Sequence, residues 1–187
     1  MSDVPGIDSR PIDPEALAAR AAKIQLVVLD VDGVLTDGGL YYGPTGEALK
    51  RFDVKDGHGI VMARLAGLPC AILTARTSEI VAVRARELGI PHVLQGKREK
   101  GPALDGLLAQ LNLAPDACAY MGDDTNDVAP LTRVGLPACP ADAVPEARER
   151  ALFVSRSPGG RGAVRELLEL CLKSSGRWDA VLARLLN

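Results

Sequence analysis

Six short apolar runs recur along this chain: IQLVVL, PCAILT, PHVLQ, ACAYMG, GLPAC and ALFV. They hold few charged residues and show little alternation of apolar with polar. A strand that buries only one face alternates; a strand covered by helices on both faces does not. Between the runs lie helix-like stretches: GIVMARLAG, SEIVAVRARELG, GPALDGLLAQLN and NDVAPLTRVG. Strands that alternate with helices are joined by right-handed crossovers, and the sheet they make is parallel.

The expectation is therefore an α/β fold, a three-layer Rossmann-like parallel sheet. One segment interrupts the alternation. From Gly39 to Val54, GLYYGPTGEALKRFDV reads as two β-prone arms around a Gly-Pro-Thr-Gly turn, a β-hairpin insert. The stretch from Ala75 to Glu99 has room for one helix and one strand, so no cap domain is expected. Asp13-Pro14-Glu15 reads as an N-cap with proline at the first helical position, opening a helix to about Ala22. The expected organisation is an N-terminal extension over 1–23, the α/β domain over 24–172 and a helical tail over 173–187.

Charge and cysteine usage exclude several classes. The net charge is -2 with scattered Lys and Arg, and aromatics make up 3%, so neither a basic stripe nor stacking platforms exist for nucleic acid. The apolar runs are far too short to span a bilayer, and MSDVPGIDSRPIDPE is too polar and acidic for a secretory signal. Cys70, Cys118, Cys139 and Cys171 show no C-x-x-C spacing and read as small buried thiols. A cytoplasmic protein, with neither membrane nor nucleic acid as partner, is expected.

The strand ends carry the chemistry. The first core strand runs into Asp30 and Asp32, PCAILT ends in Thr74 with Arg76 beyond it, and ACAYMG leads to Asp123, Asp124 and Asp127. Lys100 opens the helix after PHVLQGKRE. In open α/β sheets the ligand crevice lies outside the carboxyl ends of the strands. Two carboxylates about 4 Å apart repel by roughly 4 kcal/mol at an effective dielectric near 20. Either they splay into water or they hold a cation. Carboxylate and carbonyl oxygens are hard donors suited to Mg²⁺. A hydroxyl and an ammonium suit phosphoryl oxygens, and one carboxylate could act as nucleophile. Each residue has a plainer reading too. A strand-end Asp commonly caps a turn, GDDTND could cap the next helix, and a lone lysine is commonly solvated. Their joint placement at successive strand ends favours a site.

DVDGVLTDG, LTAR, the downstream Lys100 and GDDTND resemble the four motifs of haloacid-dehalogenase-type phosphatases. From about Ile24 to Leu172 the chain resembles the 3-deoxy-D-manno-octulosonate 8-phosphate phosphatase family, with FDVKDGHGI, QGKREKGPAL and GGRGAVREL as further matching stretches. The resemblance implies that Asp30 is the nucleophile and Asp32 the proton donor and acceptor. It implies a Mg²⁺ site from Asp30, the Asp32 carbonyl and Asp123, supported by Asp124 and Asp127. Thr74 and Lys100 would hold the phosphoryl group. Lys55, Asp56, Gly57, Arg76 and Arg84 would contact a sugar-acid phosphate, and a homotetramer built through hairpins is implied. The glycines of SPGGRG would give that loop reach, with Arg161 bringing charge to an anionic substrate. The plainer reading of the loop is a flexible turn.

Two residues depart from the family pattern: Ala75 stands where glycine is usual, and His58 where the position is more often apolar. His58 reads as a loop histidine and His92 as structural. Rival readings are a phosphatase of a nonulosonate 9-phosphate, a non-catalytic phosphate- and Mg²⁺-binding protein of the same fold, and a receiver domain. In receivers the phosphorylated Asp ends a middle strand, whereas Asp30 ends the first core strand.

Overall fold

The computed structural model describes residues 13–185. Helix α1 (Pro14–Ala21) leads into strand β1 (Leu26–Leu29), and a hairpin of β2 (Tyr41–Gly43) and β3 (Gly46–Leu49) follows. Then come α2 (Val54–Leu65), β4 (Cys70–Leu73), α3 (Glu79–Leu88), β5 (His92–Leu94), α4 (Lys100–Leu111) and β6 (Cys118–Met121). The chain closes with α5 (Val128–Leu131), β7 (Leu136–Cys139), α6 (Pro145–Arg148), β8 (Phe153–Val154), α7 (Ala163–Ser174) and α8 (Trp178–Leu185).

Six strands form one parallel sheet in the order β5-β4-β1-β6-β7-β8. Its two faces explain the unalternating runs. Val27 and Leu29 of β1 face a core shared with residues of α2, α3 and α7, whereas Leu26 and Val28 face one built with Leu104, Leu107 and Leu108 of α4. Fully burying each such side chain stabilises the fold by about 1.5–3 kcal/mol. Winding starts from β1, runs out to β4 and β5, then returns to add β6, β7 and β8 on the other side. The switch point thus falls at the carboxyl end of β1, where such sheets open a crevice.

The hairpin pairs Tyr42 with Glu47 and Gly43 with Gly46, leaving Pro44 and Thr45 as the turn. Its second arm ends sooner than the sequence reading placed it, because Val54 already belongs to α2. Asp53 is the reason: its carboxylate accepts from the Lys55 N–H at 2.7 Å and caps the helix. Asp13, expected to cap α1, makes no side-chain cap bond, and the start of that helix rests on Pro14.

The ends of the described chain share the main core. Ala21 of α1, Val181 of α8 and Leu167 and Leu168 of α7 are all buried in the cluster that covers β1. All four cysteines are buried and free. No helix among the described residues is long and apolar enough to cross a membrane.

Candidate active site

Asp30 immediately follows β1, and its N–H is bonded to the Met121 carbonyl of β6 at 3.0 Å. Lys100 is the first residue of α4, and both side chains are buried. The Lys100 ammonium lies 2.8 Å from Asp30 Oδ2 and 2.6 Å from Asp127 Oδ1. Asp127 is completely buried. Tyr120 Oη also donates to its Oδ1 at 2.6 Å, and the Asp123 and Asp124 N–H groups donate to its Oδ2 at 3.1 and 3.3 Å. Both oxygens of Asp127 are thus spent on holding Lys100 and the turn after β6.

Carboxylate oxygens of Asp30, Asp123 and Asp127 lie within 4.8 Å of one another. At that separation each pair repels by about 3–4 kcal/mol at an effective dielectric near 20. Lys100 supplies one compensating charge for three carboxylates. Asp30 Oδ1 and Asp123 Oδ1 are buried without a hydrogen-bond partner. Burial, with Asp127 next and Lys100 opposing, lifts the Asp30 carboxyl to about 6. Burial, with Asp30 and Asp127 adding to it, lifts Asp123 to about 8. Lys100 is raised: burial works against its charge, and Asp30 and Asp127 outweigh it. Two orphaned hard oxygens and a deficit of positive charge fit a divalent cation held by Asp30 and Asp123.

Local backbone chemistry makes this convergence possible. Gly33 has φ +84°, and a Cβ there would overlap the Asp123 carboxylate. Thr74, also buried, follows directly on β4; its N–H is bonded to Leu94 O and its carbonyl accepts from Lys97 N. Ala75, where glycine is the usual residue, keeps negative φ, since Asn112 is the only positive-φ non-glycine among the described residues. That departure carries no backbone strain.

The remaining expected residues divide. Asp32 is close by, but its carboxylate is held by Lys50, with Arg76 Nε 3.6 Å away. Asp124 is exposed and accepts from Thr125 N at 2.6 Å, capping its own turn rather than joining the cluster. Asp56 is buried and accepts from the Gly162 and Arg165 N–H groups at 3.0 and 2.8 Å, so both oxygens cap α7. Gly57 packs under the Arg84 guanidinium, which lies 5.8 Å above the Phe52 ring. Lys55, His58 and Arg161 are exposed, and His92 is half-buried. His58 lies in the first turns of α2, not in the loop expected from the sequence, because the Asp53 cap starts the helix at Val54.

The SPGGRG loop has no spare reach. Gly159 and Gly160 are packed so closely on Gly33 and Thr36 that a Cβ at either would overlap backbone, and Gly160 N donates to Val34 O at 2.9 Å. The glycines permit close approach to the β1 loop of the same chain instead of the reach expected from the sequence.

Sequence reasoning missed Lys50, Glu47, Ser78 and Tyr120. The hairpin held a signal. Tyr41, Tyr42 and Leu49 are exposed while the Lys50 side chain is only 1% exposed, so its polarity is inverted relative to a solvated ribbon.

Residues 70–167 match the model of the haloacid dehalogenase-like hydrolases. The 3-deoxy-D-manno-octulosonate 8-phosphate phosphatase of Escherichia coli K12 is 44% identical over 90% of this chain and 89% of its own length. The chain belongs to this family. Two solved members of it superpose closely. The Yersinia pestis phosphatase has a TM-score of 0.86 at 42% identity, covering 88% of this chain and 89% of that one. The Moraxella catarrhalis phosphatase, solved in complex with magnesium, phosphate and KDO, has a TM-score of 0.89 at 36% identity, covering 92% and 99%.

Proposed function

We propose that this chain is a Mg²⁺-dependent phosphomonoesterase that hydrolyses 3-deoxy-D-manno-octulosonate 8-phosphate to the free sugar acid and phosphate, a step of lipopolysaccharide sugar biosynthesis. The observation that carries the reading is Asp30: a buried carboxylate with one oxygen on Lys100 and the other unpartnered, beside an equally orphaned oxygen of Asp123. The activity of the 3-deoxy-D-manno-octulosonate 8-phosphate phosphatases that this chain resembles and the magnesium, phosphate and KDO of one neighbour support the substrate and the ion.

Asp30, the Asp32 carbonyl and Asp123 would hold Mg²⁺, with Asp127 and Asp124 bracing the turn that carries Asp123. Bound there, the ion would neutralise charge on the phosphoryl oxygens and on the nucleophile. Asp30 attacks phosphorus, the bond to the leaving oxygen breaks, and Asp32 gives that oxygen a proton. A water then attacks the aspartyl-phosphate, loses a proton to Asp32 and frees Asp30. Lys100 and Thr74 bind phosphoryl oxygens. Asn126 Oδ1 accepts from Lys100 at 3.4 Å, the longest of the lysine's contacts, so the ammonium N–H directed at it is the one released to substrate. Arg76, Arg84, Lys55, Gly57 and Arg161 are the groups available to the sugar acid, while Asp56 supports the chain around them.

Assembly belongs to the same reading. Leu40, Tyr41, Tyr42 and Leu49 stay exposed on a two-stranded ribbon that is marginal alone. A homotetramer built through the hairpins would cover them and close the crevice. Light scattering on the intact protein and on a Tyr42→Glu variant tests this; a monomeric wild type refutes it.

The functional test is phosphate release from a panel of sugar phosphates with and without Mg²⁺, including nonulosonate 9-phosphates. Preference for the 8-phosphate of the octulosonate with strict Mg²⁺ dependence is the expected result. Preference for a nine-carbon acid identifies the rival enzyme, and no release from any member identifies a binding protein.

A further inference from the structure

Asp32 is answered by a charge from outside the sheet. The Lys50 ammonium, just past β3, is bonded to Asp32 Oδ1 and lies 2.9 Å from Glu47 Oε1. Glu47 is fixed in turn by the Ser78 hydroxyl and by Arg76 at 3.4 Å. On the other side of Asp32, Arg76 Nε faces Oδ2 at 3.6 Å, an ion-pair distance beyond hydrogen-bond length, and this buried nitrogen makes no hydrogen bond. One oxygen of Asp32 is therefore anchored by a hydrogen bond, and the other accepts none and faces only the more distant Arg76 guanidinium.

Stability alone is a poor reason for this arrangement. A lysine on a two-stranded ribbon can reach water at little cost, yet the side chain of this one is 1% exposed. A buried ion pair recovers its desolvation cost only with good geometry, and apolar replacements are often at least as stable. Ordering the four-carbon stem adds a side-chain entropy cost. The product of that cost is a carboxylate with a defined orientation at the mouth of the site.

We propose that Lys50 is a positioning residue for proton transfer by Asp32, with Glu47 holding the ammonium in place. This rests on the phosphatase reading in which Asp32 serves the leaving oxygen. As Asp30 bonds to phosphorus, the electron pair of the breaking phosphorus–oxygen bond goes to the leaving oxygen. That oxygen takes its proton from Asp32 Oδ2, the oxygen that carries no hydrogen bond. In the second half the attacking water returns a proton to the same oxygen, and the acyl-phosphate bond breaks towards Asp30. The hairpin is thus part of the catalytic apparatus of its own chain.

The test compares Lys50→Met and Glu47→Gln with wild type in single-turnover phosphoryl transfer across substituted phenyl phosphates at saturating Mg²⁺. Acid assistance matters most for the most basic leaving group. Lys50→Met is expected to lose about 100-fold on phenyl phosphate and less than about 3-fold on 4-nitrophenyl phosphate, within the range general acid catalysis supplies. Glu47→Gln, which keeps the lysine, should follow the same trend with a smaller slope. A loss of equal factor on every ester, or no loss, overturns the proposal and leaves Lys50 as a staple of the hairpin. Should Lys50→Met fail to fold, the Glu47→Gln series decides by the same criterion. A wild type inactive on every ester and on the sugar-acid phosphate overturns the phosphatase reading itself, a failure distinct from wild-type turnover with unchanged slopes in the variants.

Discussion

Gly33 and Asp123 occupy one another's space: the carboxylate lies where any side chain at position 33 would begin, and the glycine holds φ +84° to allow it. Gly33→Ala is therefore expected to displace Asp123 rather than to unfold the sheet. Activity should fall by at least about 100-fold, with a positive-φ penalty of roughly 1–2 kcal/mol in stability. Mg²⁺ titration followed by calorimetry, beside urea unfolding, checks both parts. Wild-type Mg²⁺ affinity in the variant would refute the assignment of Asp123 to the ion.

Asp30→Asn should abolish turnover, by at least about a thousand-fold, because an amide is neither nucleophile nor anionic ligand. The fold should survive. The substitution removes a carboxylate that Asp127 and Asp123 repel, while Lys100 keeps Asp127 at 2.6 Å. Circular dichroism and phosphate release measure the two halves; near-wild-type release from folded protein would sink the mechanism.

Removing the ion should make stability depend on pH with a definite sign. Asp123 is raised from 3.8 to about 8 and Asp30 from 3.8 to about 6, burial leading in each case. Between the unfolded and folded values the folded state binds more protons than the unfolded chain. This contribution is complete below about pH 4 and is lost as pH rises towards 8. Chelator-treated protein should thus melt at a lower temperature at pH 8 than at pH 6. Mg²⁺ needs the ionised carboxylates, so its stabilisation should be larger at pH 8. Equal Mg²⁺-induced shifts at both pH values would contradict the cluster as the binding site.

Asp56→Ala separates support from substrate contact. Losing both cap bonds to Gly162 and Arg165 should cost about 2 kcal/mol in urea unfolding. A raised KM with unchanged stability would instead return Asp56 to the substrate.

Much of this architecture was legible because it depends on local pattern. Runs such as CAIL are apolar at every position because helices cover both faces of the sheet; Asp30, Thr74 and Asp123 follow strand ends, and Lys100 opens the helix after β5. What stayed hidden depends on contacts distant along the chain. Asp56 meets the start of α7 more than a hundred residues later. Lys50 reads as a surface charge until the hairpin folds back over Asp32. The SPGGRG glycines read as slack because nothing local announces that Gly33 and Thr36 press against them.

The turn at Pro44 and Thr45 has a genetic consequence. Surface loops ordinarily absorb insertions and deletions, but this one sets the register of a ribbon whose two sides are not interchangeable. One extra codon between Gly43 and Lys50 would move the lysine by about 3.3 Å along the strand, away from Asp32, and turn Leu49 towards the position it left. Lineages of this enzyme should therefore vary freely in side chains at the turn while holding its length fixed. An indel there should be selected against as strongly as the loss of Lys50 itself.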